Sequence, residues 1–381
     1  MLSAEQDVII AQQRVKEAAF LFLPQTSITG AVTKSNLKYP QIILPDSSPH
    51  ILFPSAEENF YTLHASVVQP IYVGGRNTNT LRLARASLLE AQTRYDSAKR
   101  DATLAVKESF YKLLYSSAAL GGCRGWLSEM SRQRAQAKLN AWESVEGEAA
   151  LDKMEAEFQS LLQRYRLAKL SFLRALNKEL DSVVAADGDF KPLPAKADLN
   201  RLMVWAMEMR PELKGEVYRA EMDAIAVNLA MSRRSPTVML GANYDFVDTQ
   251  FPLRNNGWEA NLAVQFPLAY DFLTQITQKK AEQRQGALKR AAMQDKVRLE
   301  LNQAYENNSY WQREVVSREA VYSRLKGRYS AAARENAATL SALSAAGAVY
   351  EAQLAYLEAV REQLVSRARL EWALGQEIPA E

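Results

Sequence analysis

The sequence predicts a mainly helical protein with a small β part, in which one series of segments runs twice. Three observations predict this. Each pass reads helix, proline, alternating strand, loop, alternating strand, proline, and then a very long Ala/Leu-rich helical hairpin. Short stretches of about ten residues alternate apolar and polar side chains with a period of two, the signature of a half-buried strand. The long stretches carry apolar residues at 3-4 spacing, the signature of left-handed coiled coil. The first repeat is expected over 1–187 and the second over 198–375.

The elements follow in order. Ala4, Val8, Ala11, Val15, Ala18 and Phe22 form a helical stripe that leads to Pro24 and QTSITGAV. In the second pass Leu213, Val217, Ala220, Ala224, Val227 and Met231 lead to Pro236 and TVMLGANYDF. An extra helix is predicted over 198–209. The first repeat has no counterpart, so the N-terminus is expected to be cut, that of a mature, engineered or mis-started chain rather than a natural beginning. Strands are predicted at about 25–38, 58–69, 237–247 and 258–267. Val238, Leu240, Ala242, Tyr244 and Phe246 alternate with Met239, Gly241, Asn243 and Asp245. Trp258, Ala260, Leu262, Val264 and Phe266 alternate with Glu259, Asn261, Ala263 and Gln265. Tyr61, Leu63, Ala65 and Val67 do so with Thr62, His64 and Ser66, and Ile28, Gly30 and Val32 supply a weaker partner.

Strands of about 9–11 residues cross a bilayer when tilted, and Tyr61, Phe246, Trp258 and Phe266 at their ends fit an interfacial girdle. Four strands cannot close a transmembrane barrel, because bacterial barrels begin at about eight and open sheet edges are not tolerated in lipid. If these strands face lipid, several chains must pool them, and three chains give twelve. Asn243, Asp245, Glu259 and Gln265 would then face the lumen. The same alternation also fits two soluble hairpins packed on helices.

Helical segments are expected over about 72–187 and 270–375. In the first, Leu81, Ala84, Leu88, Ala91, Tyr95, Ala98, Ala102 and Ala105 keep 3-4 spacing unbroken, and Leu151, Met154, Phe158, Leu161, Tyr165, Ala168, Phe172 and Ala175 carry the return. In the second, Val297, Leu301, Ala304, Trp311 and Val315 are answered by Leu340, Leu343, Gly347, Tyr350, Leu354 and Leu357. The abundance of Ala permits packing on two sides of each helix, which suits a closed ring of helices. Hairpin turns are expected near 144–149, around Gly147, and near 332–337. Gly121, Gly122 and Gly125 mark either a hinge or a tight helix crossing.

Composition excludes other classes. With 47 basic and 44 acidic residues, the net charge of +3 leaves no nucleic-acid footprint. One cysteine, Cys123, cannot form a disulfide framework or a Cys-based zinc site. His50 and His64 lack ligand spacing, no nucleophile–base constellation is evident, and Met203, Met207 and Met209 are better read as packing than as a soft-metal site. No catalytic residue, metal or cofactor is expected. No apolar run reaches the ~20 residues of a spanning helix.

Taken in order, Met209-Arg210-Pro211-Glu212-Leu213, AVNLAMSRRSPTVMLGANY, VVQPIYVGGR, Arg328-Tyr329, Leu340-x-Ala342 and the closing LEWALGQE resemble the TolC-like outer-membrane efflux protein family. The resemblance covers nearly the whole chain. It implies a homotrimer in which twelve strands form an outer-membrane β-barrel continuous with a periplasmic α-barrel tunnel. Such proteins are passive exit ducts of tripartite efflux pumps or type I secretion systems. They dock a periplasmic adaptor and an inner-membrane transporter, contact outer-membrane lipid, and catalyse nothing. A periplasmic adaptor is the first alternative, but no lipoyl-like or barrel domain interrupts the helices; a soluble coiled-coil protein is the second. The resemblance implies that the loops at 39–57 and 247–257 are extracellular and that the hairpin turns form the periplasmic tip. At that tip the family's Gly, Ser and paired Asp correspond to Ala332, Glu335, Ala338 and Ser341, so its acidic ring is missing. Asp152 with Ala156 keeps an Asp-x-x-x-Ala arrangement, with Glu146, Glu148 and Glu155 nearby. Asp152, Glu155, Glu148 and Glu335 are therefore the expected pore-tip residues.

Overall fold

The computed structural model describes residues 1–35, 58–137, 140–184, 188, 190–194, 198–248, 250–267, 272–335 and 339–378. Among these, the elements run α1 (Leu2–Phe20), β1 (Gln25–Ser35), β2 (Glu58–Tyr72), α2 (Arg76–Gln136), α3 (Ala141–Ala175) and α4 (Leu199–Met209). They continue with α5 (Pro211–Ser232), β3 (Thr237–Asp248), β4 (Asn255–Gln265), α6 (Phe272–Glu335) and α7 (Leu340–Leu374). The duplication is plain in this order. Helix, strand pair and long helical hairpin recur, and α4 is the added helix of the second pass, over 199–209 as expected.

The chain forms two compact units, and α2, α5 and α6 are each divided between them. One comprises 1–4, 93–215 and 289–381; the other comprises 5–92 and 216–288. The first unit is helical and holds three apolar clusters. Leu202, Ala206, Leu213, Val297, Leu301, Leu370, Ala373 and Leu374 form one, joining α4, α5, α6 and α7. Ala119, Cys123, Met130, Met154, Leu161, Leu343, Ala346 and Tyr350 form the second, joining α2, α3 and α7. Val315, Ala359, Val360 and Leu364 form the third. Each fully buried Leu contributes roughly 1.5–3 kcal/mol, so these clusters hold the helices of the unit together.

Polar side chains lock the remaining joints of this unit. Arg210 is held extended by the following proline, and Pro211 opens α5, where its missing N–H is no loss. The Arg210 guanidinium is only 2% exposed, donates to Glu300 at 2.6 Å and stacks over Trp372 at 4.8 Å. A Cβ on the left-handed Gly375 (φ 87°) that ends α7 would lie only 3.3–3.4 Å from the Met209–Arg210 backbone, so glycine suits this close approach. Gln363, also buried, donates to the Leu193 carbonyl at 2.7 Å and accepts from its N–H at 3.0 Å, which pins the segment after α3 onto α7.

The second unit carries a single antiparallel sheet in the order β1-β2-β3-β4. Gly74 and Gly75, both at positive φ, turn β2 into α2. A Cβ on Gly74 would lie 2.4 Å from that of Ser235, so only glycine fits there. Buried Ala11, Ala18, Ala86, Ala91, Ile225, Val227 and Ala230 pack the helical part of this unit.

Several expected boundaries are corrected. Residues 144–149 are not a turn: α2 ends at Gln136 and α3 begins at Ala141, with Gly147 buried inside α3. The signal that starts α3 is a capping box, in which Asn140 accepts from the Glu143 N–H and the Glu143 carboxylate accepts from the Asn140 N–H. The first helical segment starts at 76 rather than 72, and ends at Ala175 rather than 187. There Asn177 adopts positive φ (53°) and the Lys178 N–H reaches back to the Leu173 carbonyl. Within 332–337, residues 332–335 still belong to α6, and 336–337 lie outside the described residues. β2 extends to Tyr72 past an irregularity at Pro70, and β4 spans 255–265 rather than 258–267. Residues 36–38 of the first predicted strand and the loop at 39–57 are outside the described residues. The glycines of α2 make no hinge, since the helix is continuous from 76 to 136. A Cβ on Gly122 would come within 3.0 Å of the Gln353 amide, the tight-crossing reading.

Candidate functional site

Two features carry the chemistry: the faces of the sheet, in one unit, and the ends of the helical hairpins, in the other. The sheet comes first. Cross-strand register places Ile28, Ala65, Tyr244 and Trp258 in one row, and Thr26, Val67, Ala242 and Ala260 in the next. Gly30, Leu63, Phe246 and Asn256 form the row on the other side. Farther along, Leu240 pairs with Leu262 and Val238 with Val264. One face is therefore predominantly apolar across all four strands, with Thr26, Gln69 (opposite Leu240) and Asn256 as its polar members. It is also exposed: Ile28 and Trp258 are each 78% exposed and Leu262 is 65% exposed. From Val238 to Phe246 it runs roughly 27 Å along the strand.

The opposite face is polar. Ser27, Ser66, Asn243 and Glu259 share a row, with the two serine hydroxyls bonded at 2.7 Å. Thr29, His64, Asp245 and Gly257 share the next, and there His64 Nδ1 meets an Asp245 carboxylate oxygen at 2.5 Å. Asn261 donates to Glu259 at 3.2 Å along β4. Gln265, opposite Thr237, lies on the same face at its end. All four residues expected on one side, Asn243, Asp245, Glu259 and Gln265, are brought to one face. The His64–Asp245 pair was missed. Alternation put both on the polar face, but their pairing needs the β2–β3 register. β1 and β4 are the edge strands, each paired on one side only among the described residues.

Because α3 begins at Ala141, Glu148, Asp152 and Glu155 stand about two to four turns in from the hairpin end; they fall within a sector of about 60° on α3, well away from buried Met154, at about 100° per residue. All three are exposed. Glu148 is bound to Arg134 of α2 at 3.2 Å, whereas Asp152 and Glu155 have no ion-pair partner among the described residues. Glu335 is the last residue of α6, and its side chain is outside the described set. The tip is braced across helices. Trp126 donates to Gln353 at 2.6 Å and meets Tyr329 edge-on at 5.4 Å, and the Tyr329 hydroxyl donates to Glu129 at 3.3 Å. The neighbouring Arg132 guanidinium holds the Glu129 carboxyl below the usual range. Beside these residues a groove of about 540 Å³ opens between α6 and α7, where alanines such as Ala333, Ala342 and Ala345 are mixed with Arg328, Tyr329 and Gln133 of α2.

Residues 1–141 match the family model described as outer membrane efflux protein. By structure, the chain is similar to the outer membrane protein VceC of Vibrio cholerae, with a TM-score of 0.80 and 16% identity over 99% of this chain and 93% of that one. It is similar to the open state of the Neisseria gonorrhoeae MtrE outer membrane channel, with a TM-score of 0.80 and 13% identity over 100% and 86%. The Campylobacter jejuni CmeC outer membrane channel gives a TM-score of 0.77 and 12% identity over 98% and 82%. No curated protein matches the chain in sequence. The chain has the fold of these outer-membrane channels, and the resemblance to the TolC-like outer-membrane efflux family read in the sequence is borne out.

Proposed function

We propose that the chain is an outer-membrane efflux channel that works as a homotrimer, a passive duct rather than an enzyme. The observation that carries this reading is the exposed apolar face that crosses all four strands in register. In water such a face would be an aggregation hazard, and in lipid it is the outer wall of a barrel. Strands of 11, 15, 12 and 11 residues are long enough to cross. Two open edges per chain require closure. Because all neighbouring strands are antiparallel, β4 of one copy can pair with β1 of the next, and three copies close a ring of twelve.

In this reading the polar face lines the pore and the long helices form a tunnel in the periplasm of a Gram-negative bacterium. The tip docks a periplasmic adaptor of an efflux pump fed by an inner-membrane transporter. The groove between α6 and α7 supports that role, since its alanines let another helix approach closely while Arg328 and Gln133 offer it polar contacts. A photo-crosslinker at exposed Ala345 should capture the adaptor in membranes, whereas one at Trp258 should not; capture at neither site would remove the groove from the interface. The duct reading itself is tested by mass. Extraction from membranes should require detergent and yield a particle of three 42.7 kDa chains. A soluble monomer or dimer would end it.

A further inference from the structure

Antiparallel pairing gathers four strand ends together. The start of β1, the end of β2, the start of β3 and the end of β4 all lie at one end of the sheet, where Gln25 faces Val68, Gln69 faces Leu240 and Thr237 faces Gln265. Exposed apolar side chains collect there: Phe22, Leu23, Ile71, Tyr72 and Phe266, the last 69% exposed. Immediately beyond come Arg76, after β2, and Arg233 and Arg234, before β3. Arg82 and Arg85 follow on α2, and Lys280 on α6.

Two further facts make this more than a scatter of surface cations. First, carboxylates are sparse: no Asp or Glu occurs in 18–34, 66–89 or 224–242, Asp271 is the one in 260–281, and Glu282 beyond it is held by Lys279 at 2.6 Å. Second, the cations are left without counter-ions. Arg76, Arg82, Arg85, Arg234 and Lys280 have no ion-pair partner among the described residues, and Arg233 is bonded only to the neutral Gln275 amide, at 2.6 Å.

We propose that this end of the sheet is a binding belt for the phosphate groups of membrane phospholipids. The apolar and aromatic ring takes the level of the headgroup–acyl boundary, as amphipathic rings do. The guanidinium groups of Arg76, Arg233 and Arg234 just beyond it, and of Arg82 and Arg85 about two to three turns farther along α2, bind phosphate oxygens, for which their planar fork is suited. Charge complementarity selects an anionic lipid headgroup over a neutral one. The belt fixes the depth at which the barrel rests and rests itself on the outer-membrane reading above.

The test uses the full chain in detergent micelles, titrated with short-chain phosphatidylglycerol or phosphatidylcholine and read by native mass spectrometry. The wild-type chain should bind phosphatidylglycerol at least about tenfold more tightly. R76Q/R233Q/R234Q should lose roughly a hundredfold in that affinity, from about fivefold per surface arginine, while R76K/R233K/R234K stays within about tenfold of wild type. If circular dichroism shows the triple Gln variant unfolded, R234Q alone should cost about fivefold. Equal binding of the two lipids, or unchanged affinity in the folded Gln variants, overturns the belt. So does displacement of phosphatidylglycerol by equimolar inorganic phosphate, which would mark a free-anion site. Loss of oligomer mass in the Gln variant with lipid binding intact would assign the arginines to contacts between copies and likewise overturn it. A wild-type chain soluble without detergent contradicts the channel reading instead, so the two failures are distinguishable.

Discussion

We propose that Asp152 and Glu155, about three to four turns into α3 from the hairpin end, carry the cation selectivity of the helical tunnel. Both are exposed and without an ion-pair partner among the described residues, on a face that three-fold symmetry would repeat into a ring. A ring of carboxylates favours cations. Asp152→Ala with Glu155→Ala should therefore abolish or sharply reduce cation preference in planar-bilayer conductance, and unchanged preference would remove both residues from the constriction. Glu148→Ala should matter less, because Arg134 already neutralises that carboxylate at 3.2 Å. This difference among three acidic residues was not legible in the sequence. Glu148 and Asp152 look alike in a helix pattern, and only the fold brings Arg134 of α2 across to one of them.

Among the elements, strand alternation was the most legible feature. A period of two needs no long-range information, and it assigned Asn243, Asp245, Glu259 and Gln265 to one face, where register now places them. Helix ends were less legible. Gly147 looks like a breaker, yet it is a small residue buried within α3, and the true start was encoded by Asn140 and Glu143. The break after Ala175 depends on Asn177 accepting positive φ, which a heptad count does not register. The sheet's faces make a direct prediction at this scale. On a Cys123→Ala background, a fluorophore at position 240 or 262 should be quenched by lipid-borne quenchers. The same probe at 243 or 259 should be quenched from water. Aqueous quenching at all four positions would mean that the apolar face never meets lipid.

For the molecule as a whole, the repeat builds a sheet that one chain leaves open at both edges among the described residues. Each pass adds two strands to the same sheet, and the pair of passes still leaves β1 and β4 as open edges among the described residues. The edges are not blunted as soluble edge strands usually are. β1 carries only Lys34 as a charged residue along its length, and β4 only Glu259. Closure between copies is thus the central claim, and a disulfide across the edges tests it most directly. Cysteines are placed pairwise on Cys123→Ala, one on β1 between Thr26 and Val32 and one on β4 between Trp258 and Val264, scanning the register. The account predicts that at least one pair oxidises in membranes to a covalent species of three chains and no larger. Pairs that yield only monomer in every register, or a ladder extending past three, would contradict it.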